Sequence, residues 1–397
     1  MKAHINPAVL RWAREKAQLP LESAARKAGI SDTLKQSAAE RLGVWEDGAD
    51  VPTRNQLASL AKAYYRPVLT FYLQEPPAQA EQLSDFRTVG DHPADGDNNI
   101  LAAFTRKMRA RQREIVQLIA DDGDEPEPLP FIGRLGVDSS PREVVDDIRE
   151  VLGFPFELQR GMNDRDGLFR ALRARAEAVG IFVIIQGNLG SYKTNIEPEA
   201  FRGIAFADPV APFIIINGND AKAARTFTLM HELAHLWLGE EGISNLSPFA
   251  GNDARGGLEA FCNAVAAEFL LPRGFLVEAW DRVVGLELPE AMVSLASQFK
   301  VSRAAVANRL WKLNRIDEVD WWALYATYQD EWRRQRVRMQ EQEGGPTFYI
   351  TKQSQLGAAL IRTVLGGVDA GNLTYTRASR ILGVNAKNFD GLRAGVG

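Results

Sequence analysis

Apolar residues recur at helical spacing along the first 75 residues of the chain. Val9, Leu10 and Ala13 fall on one side of a first helix, and Pro7 suits the first turn of that helix. The same spacing continues further along, and the last helix of this stretch is expected over about residues 54–64. The pattern therefore predicts a compact helical module over residues 1–75.

Proline, glycine and acidic residues break this periodicity between residues 76 and 98, where the pattern predicts a linker. A basic helix is expected next, over residues 99–120, and its charged residues are interpreted as a solvent-exposed face. The residues that make it basic are Arg106, Lys107, Arg109, Arg111 and Arg113. The acidic stretch at 121–130 predicts a second linker, so residues 76–139 are assigned as linker and basic helix.

Residues 140–275 alternate between helical and strand patterns, which predicts a mixed α+β domain. Helices are expected near residues 141–152 and 167–179, because apolar positions in both segments recur every three to four residues. The β-branched run at residues 181–185 predicts a strand. The helices and this strand together indicate that the domain begins near residue 140.

Two further β-branched segments, residues 203–207 and 213–217, lie on either side of a turn and predict a hairpin. A helix beginning near Asp220 is expected to follow the hairpin. Residues 276–397 return to helical spacing, which predicts a helical C-terminal region. Within that region, residues 295–313 have the shape of a second helix-turn-helix and are interpreted as packing helices.

Composition limits the chemistry that this chain can carry. Its 397 residues suggest two or three domains, and 45% apolar with 25% charged residues is typical of a folded globular protein. Cys262 is the single cysteine, which excludes an intrachain disulfide and a cysteine-rich zinc cluster. A metal site would therefore use histidine and carboxylate ligands. The chain has no long apolar run and no apolar leader, so a cytoplasmic location is expected.

The segment HELAH at residues 231–235 is the strongest chemical signal in the chain. His231 and His235 stand four residues apart, so both imidazoles lie on one helical face and can reach one metal ion. Glu232 projects about 100° away from His231, beside the metal rather than on it, as a general base requires. The alternatives are buried core histidines with a solvated Glu232, or a peptidase fold without metal or activity.

A zinc hydrolase site needs a third protein ligand and leaves one position open. The apolar helix predicted over residues 258–272 offers Glu259 near its start, and we select it as that ligand. Glu268 is the competitor on the same helix, but the two carboxylates are two and a half turns apart and face roughly opposite ways. Zn²⁺ is therefore expected on His231, His235 and Glu259.

In two segments the chain resembles the ImmA/IrrE family of metallopeptidases. One is RTFTLMHELAHLWLG at residues 225–239, and the other is the pattern E-x-x-x-N-x-x-A-A-E-x-L-L-P at residues 259–272. The family pattern usually has alanine at the position of Cys262 and phenylalanine at that of Val265, and neither difference falls on a ligand. The resemblance implies a gluzincin-like zincin core, with zinc on the same three ligands and Glu232 as the base.

Residues 1–75 are similar to the XRE-type helix-turn-helix module that is often fused to such peptidases. They hold 11 basic and 8 acidic residues, so their net charge of plus 3 permits DNA binding but does not require it. The alternative is a helical module that binds another protein. The stretch at residues 31–42 should hold the recognition helix, and Lys35 and Arg41 are its candidate DNA contacts.

The resemblance implies a zinc-dependent endopeptidase that cleaves a regulatory protein, typically a DNA-binding repressor encoded nearby. Such cleavage switches on gene expression in a stress, mobile-element or phage-defence setting. The alternative is a DNA-binding transcriptional regulator or antitoxin-like protein that uses the zincin fold as a sensor or docking domain. No membrane partner is expected, and the oligomeric state stays open.

For catalysis, a segment of the substrate protein is expected to add as a strand beside residues 213–217. Glu232 would take a proton from the attacking water and return it to the leaving amine. Tyr192 and Arg255 are candidates, by position alone, for stabilising the oxyanion.

Overall fold

The structure is a computed structural model. It describes residues 2–17, 19–77, 95–121, 126–244, 254–341 and 347–395. Most of the first predicted linker, residues 78–94, and part of the second, residues 122–125, therefore lie outside the described residues. No single helix in those ranges is both long and apolar enough to cross a membrane, although one bent pair, 257–270 with 273–281, passes by length and composition alone.

The chain divides into two compact units, each of which combines segments that are distant in sequence. The first comprises Met1–Arg87, Asp91–Met108 and Ser191–Ile196. The second comprises Thr88–Gly90, Arg109–Gly190 and Glu197–Gly397. The domain boundaries expected at residues 75, 139 and 275 stay predictions.

Four short helices build most of the first unit. They are α1 (Pro7–Lys16), α2 (Leu21–Lys27), α3 (Ala38–Glu46) and α4 (Arg54–Ala63). Ser37 and Thr53 start α3 and α4 with capping boxes, in which the cap side chain and the residue three positions on bond each other's backbone amides. The fully buried Leu10, Leu42 and Leu57 fill the space between the helices. The helices expected from apolar spacing are thus confirmed.

The candidate DNA contacts Lys35 and Arg41 lie at the start of α3 in this unit. Lys35 lies in a bend before Ser37, so it precedes the helix rather than standing on it. The Arg41 guanidinium donates a hydrogen bond to the Ser31 carbonyl and lies 5.5 Å from the centroid of the Trp45 ring. DNA contact by these two residues stays a prediction.

The second unit is a mixed α+β assembly, as the sequence predicts. Helix α5 (Asp95–Ala120) enters it at residue 109. The helices that precede the sheet are α6 (Pro141–Leu152), α7 (Phe156–Arg160) and α8 (Arg165–Ala178). The strands and the helix between them are β1 (Phe182–Ile185), β2 (Gly203–Phe206), β3 (Phe213–Ile216), α9 (Arg225–Leu238) and β4 (Gly242–Ser244).

The described residues form a four-stranded sheet in the order β1-β3-β2-β4. Strand β1 is parallel to β3, whereas β2 is antiparallel to both β3 and β4. The antiparallel pairing of β2 with β3 confirms the predicted hairpin. Every residue of β1, β2 and β3 is buried, which accounts for their continuous apolar sequences.

The order of the strands contradicts one expectation about the substrate. Strand β3 pairs with β1 on one side and with β2 on the other, so neither of its edges is free. A substrate strand cannot add beside residues 213–217, because their backbone hydrogen bonds are already used. The prediction was wrong because a hairpin seen in sequence does not reveal which of its strands another strand will cover. Among the described strands on that side of the sheet, β4 forms the edge.

Helix α9 packs on β2 and β3, and it is buried on nearly all sides. Gly239 ends the helix with φ of 68°, a conformation that glycine adopts without strain. Helix α10 (Ala254–Leu270) packs across α9 and α6. The Trp237 indole of α9 stacks on Phe131 and donates a hydrogen bond of 2.6 Å to Asp147 of α6. These contacts hold α9 and α10 at a defined separation.

The remaining helices of the second unit follow the expected pattern. Lys300 adopts φ of 58° after the helix that ends at Phe299, and the Ser302 side chain caps the next helix, which confirms the predicted turn. The ranges of these helices are α11 (Arg273–Asp281), α12 (Leu288–Phe299), α13 (Arg303–Lys312), α14 (Glu318–Glu341), α15 (Phe348–Leu356), α16 (Ala358–Asp369), α17 (Tyr375–Leu382) and α18 (Phe389–Arg393).

Two residues of the basic helix contradict the expected solvent-exposed face. The Arg109 guanidinium pairs with both carboxylate oxygens of Glu241 and stacks on the Phe206 ring, 3.7 Å from its centroid. Arg111 is buried, and burial lowers its pKa to about 10. Sequence alone could not reveal this, because Phe206 and Glu241, which contact Arg109, come about a hundred or more positions later in the chain.

Gln159 of α7 provides a test of how the helices are joined. Its buried amide donates hydrogen bonds of 2.7 Å to the Leu270 carbonyl and 3.0 Å to the Phe299 carbonyl. We expect Gln159→Met to destabilise the protein by about 1–3 kcal/mol, because two buried carbonyls lose their donor. Urea unfolding would measure this. Gln117→Met removes an exposed amide of α5 and serves as the control, and equal effects of the two substitutions would contradict this role of Gln159.

Candidate metal centre

Two histidines of helix α9 bring their ring nitrogens close together. His231 and His235 are both fully buried, and their Nε2 atoms are 3.1 Å apart. The spacing of four residues places both rings on one face of the helix, with 4.9 Å between their centroids. Most of the remaining buried positions of α9 are filled by apolar residues, among them Leu229, Leu233 and Trp237, and the helix packs against β2 and β3.

Glu259 of α10 reaches the same point from the neighbouring helix. Its carboxylate oxygens lie 3.1 Å from the Nε2 of His231 and 3.3 Å from the Nε2 of His235. One ligand atom of each of the three residues lies within 4.8 Å of the others, and the group could hold a metal ion. The competitor Glu268 instead pairs with Arg309 of α13, away from this cluster.

Asn263 sets the orientation of the His231 ring. Its Oδ1 lies 3.1 Å from His231 Nδ1, and a carbonyl oxygen can only accept a hydrogen bond. The proton of a neutral His231 ring is therefore assigned to Nδ1, which leaves a lone pair on Nε2. Asn263 is four residues after Glu259, so one turn of α10 supplies both the carboxylate and the group that orients its partner.

The donor set fits a metal cation. The lone pair of His231 Nε2 faces a Glu259 oxygen and His235 Nε2, each at 3.1 Å, and electron-rich atoms at that distance repel each other unless a cation lies between them. A tetrahedral ion with bonds of about 2.0–2.1 Å places its ligand atoms about 3.3–3.4 Å apart. The observed separations of 3.1–3.3 Å are close to that value. The three residues therefore have both the chemistry and the spacing of a metal site.

Glu232 lies beside the cluster and does not join it. Its side chain is fully buried, and neither carboxylate oxygen makes a hydrogen bond within the part of the chain that the structure describes. Burial raises its pKa to about 8. A carboxyl group whose pKa lies near neutrality can both accept and return a proton at the pH of a cell.

A glycine on β2 provides the space for Glu232. A Cβ added at Gly203 would lie 2.1 Å from a Glu232 carboxylate oxygen, so any side chain at position 203 would displace the carboxylate. Gly203 is paired with Ser244 of β4, whose hydroxyl lies 3.1 Å from His231 Nε2. This pairing therefore places Gly203 against Glu232 and Ser244 against the two histidines.

Burial and neighbouring charges change the protonation of the cluster in different directions. Burial lowers the pKa of His231, because the charged imidazolium loses its hydration. Burial opposes ionisation of Glu259, but the neighbouring rings of His231 and His235, whose protonated forms attract the carboxylate, outweigh it and lower the pKa of the carboxyl group. Burial acts to lower the pKa of His235 as well, but the neighbouring Cys262 and Glu259 outweigh it and raise that pKa. Because a neutral imidazole and an ionised carboxylate are the forms that bind metals, His235 would release a proton when a cation binds.

The structure brings His231, His235 and Glu259 together and places Glu232 next to them. Sequence reasoning did not single out Asn263, Gly203 or Ser244. A signal for Asn263 was present, since it is the asparagine of the pattern that begins at Glu259. Gly203 and Ser244 carry no such signal, because their roles arise only from strand pairing. As for the oxyanion candidates, Tyr192 is 77% exposed, and the side chain of Arg255 is outside the described residues.

The orienting role of Asn263 can be measured through metal affinity. We expect Asn263→Ala to weaken binding of a divalent metal by about 10–100-fold, because the His231 ring loses the group that holds it. Competition with a chromophoric chelator would give the affinity. Asn308→Ala, the same change on α13, is the control and should bind as the wild type does. Equal affinity in all three proteins would contradict the proposed role.

Comparison with known protein families identifies the segment that carries this site. Residues 177–311 match the model of the IrrE N-terminal-like domain, a peptidase M78 family. No curated protein and no solved structure matched the chain. The matched segment spans the sheet, α9 and α10, and includes the two histidines, Glu232, Glu259 and Asn263. The chain therefore carries, at residues 177–311, a metallopeptidase domain of the ImmA/IrrE family.

Proposed function

We propose that the protein is a zinc-dependent endopeptidase with a gluzincin-like zincin core. The observation that carries this proposal is the convergence of His231, His235 and Glu259 beside the buried carboxyl group of Glu232. The match to a peptidase family over the same residues supports it independently. The alternative of core histidines with a solvated Glu232 does not fit, because Glu232 is fully buried.

The ligand set favours zinc over magnesium and calcium. Two imidazole nitrogens and one carboxylate are typical of catalytic zinc sites, whereas magnesium and calcium prefer oxygen ligands alone. When bound, zinc supplies a Lewis acid that polarises a carbonyl group and lowers the pKa of water. His231, His235 and Glu259 hold the ion, and Asn263 keeps the His231 ring in place.

Glu232 moves the proton in the proposed reaction. Its carboxylate oxygen accepts a proton from the water that attacks the scissile carbonyl, and it then returns that proton to the nitrogen of the leaving amine. The position of Glu232 suits both steps, because its fully buried carboxyl group lies beside the three ligands and is shielded from bulk water. Gly203 contributes by leaving room for the carboxylate against β2.

The substrate in this proposal is a segment of another protein in extended conformation. Strand β4 supports this, because it pairs only with β2 among the described strands and ends at Ser244, next to the two histidines. A peptide that pairs with the outer edge of β4 would bring its backbone to the cluster. A regulatory protein, such as a DNA-binding repressor encoded nearby, is the substrate class that the family resemblance favours. Its cleavage would switch on gene expression.

Separate substitutions distinguish the base from the ligands. We expect Glu232→Gln to keep about one zinc per chain and to lose proteolysis by at least about 100-fold, since only the proton carrier is removed. His235→Ala and Glu259→Ala should lose both zinc and activity. Metal analysis would be combined with coexpression of the neighbouring gene product and mass spectrometry of its fragments.

Glu268→Ala is the matched control for Glu259→Ala, because both remove a carboxylate from α10. It should retain zinc, since Glu268 pairs with Arg309. If Glu268→Ala lost the metal while Glu259→Ala kept it, the proposed third ligand would be wrong. If the wild type bound no zinc at all, the endopeptidase proposal would be withdrawn.

DNA contact through the first unit is a separate proposal. The net charge of plus 3 over residues 1–75 supports modest binding that weakens steeply as salt rises. We expect the full chain to bind its own promoter region more tightly at about 50 mM than at about 200 mM salt. Fluorescence anisotropy would measure this, and a Lys35→Ala, Arg41→Ala double variant should bind less tightly. Absence of binding at both salt concentrations would leave the unit as a protein-docking module.

A further inference from the structure

Ser244 is the last described residue of β4, and its side chain points into the metal centre. The residue is 1% exposed. Its Oγ lies 3.1 Å from His231 Nε2 and 3.5 Å from His235 Nε2. The pairing of Ser244 with Gly203 sets this position. Strand β2 packs directly against α9, and β4 is joined to β2 by backbone pairing. The hydroxyl is therefore held against the ligands by the sheet itself.

The hydroxyl lies at the spacing of a fourth ligand from both histidines. The separations of Oγ from the two nitrogens, 3.1 and 3.5 Å, bracket the spacing of about 3.3–3.4 Å between corners of a tetrahedral zinc site. His231, His235 and Glu259 supply the other three corners at 3.1–3.3 Å from one another. In a catalytic zinc site the fourth corner is the position of water or substrate.

We propose that the Ser244 hydroxyl occupies the open position of the metal centre and closes the resting enzyme. The inference rests on the proposed metallopeptidase function and adds a form of regulation to it. A neutral hydroxyl is a weaker donor than imidazole or carboxylate, so an incoming substrate displaces it without removing the metal. Because Ser244 lies on the edge strand, a peptide that pairs with β4 is in position to move it. Substrate binding and opening of the site are then one event.

This closure differs in its consequences from an ordinary structural hydrogen bond. A hydroxyl that only stabilises β4 would leave the fourth position free for a small ligand. A hydroxyl that closes the position lowers the apparent affinity of that ligand by the fraction of molecules that are open. Closure in nine molecules out of ten, for example, weakens binding about tenfold.

Cobalt substitution makes the fourth position visible. The full-length wild type, Ser244→Ala and Ser244→Thr would each be loaded with Co²⁺ and titrated with acetohydroxamate, while the visible spectrum of the cobalt is recorded. We expect Ser244→Ala to bind acetohydroxamate at least about tenfold more tightly than the wild type. Ser244→Thr keeps a hydroxyl and should remain closer to the wild type.

A second variant reports position directly. Cys262 is the chain's single cysteine, so Cys262→Ala has no thiol, and adding Ser244→Cys places one thiol at position 244 alone. A thiolate bound to Co²⁺ gives an intense near-ultraviolet charge-transfer band. We expect that band in the double variant and not in Cys262→Ala. The band depends on contact between the side chain and the metal, so a purely structural role for Ser244 would not produce it.

The outcomes separate this inference from the proposed function. If the wild type binds about one Co²⁺ per chain but wild type and Ser244→Ala bind acetohydroxamate equally, and the double variant lacks the band, Ser244 does not occupy the fourth position. The metallopeptidase proposal would survive that result. If the wild type binds no metal, the proposed function itself fails. Tighter hydroxamate binding in Ser244→Ala together with the charge-transfer band supports the inference.

Discussion

The close packing of α9 on β2 is the constraint on which the rest of the site depends. At Gly203 the two elements approach so closely that the position of a Cβ is already taken by the carboxylate of Glu232. This contact buries Glu232 away from water and raises the pKa of its carboxyl group. The same contact sets the position of β4, because β4 is paired with β2 through backbone hydrogen bonds. One helix–sheet interface therefore positions Glu232, the two histidines and Ser244.

A second helix turns this interface into a site for a cation. Helix α10 crosses α9 and brings Glu259 and Asn263, one turn apart, to His231. Neutral core residues could have filled the same volume, but here two imidazoles and a carboxylate meet in a buried region, where unpaired polar groups cost about 1–3 kcal/mol each. A bound metal ion would remove this cost and would supply the charge that the proposed hydrolysis needs. Burial and the proposed chemistry are therefore linked.

The corrections to the sequence-based expectations share one cause. Residues 213–217 were expected to form a strand beside which a substrate segment could add, but β1 and β2 cover both of its edges. Arg109 and Arg111 were expected on a solvent-exposed face, but Glu241 and Phe206 contact Arg109, and Arg111 is buried. In each case the covering group is distant in sequence, so no local pattern can show that the strand edge or the arginine is covered. Local patterns did predict the helices, the hairpin and the turn at Lys300, because caps, spacing and chirality act over a few residues.

The sequence alone identified the three residues that could hold a metal ion, since HELAH places two imidazoles on one helical face and the apolar helix after it offers Glu259. It also determined the mixed α+β class, because helical and strand periodicities alternate over residues 140–275. Only the tertiary structure decided that Gly203 makes room for Glu232, that Asn263 orients His231, and that Ser244 faces the ligands. The physical reason is that donors a few residues apart on one helix are related by its 100° turn, whereas contacts across a sheet depend on register and on which strands become neighbours.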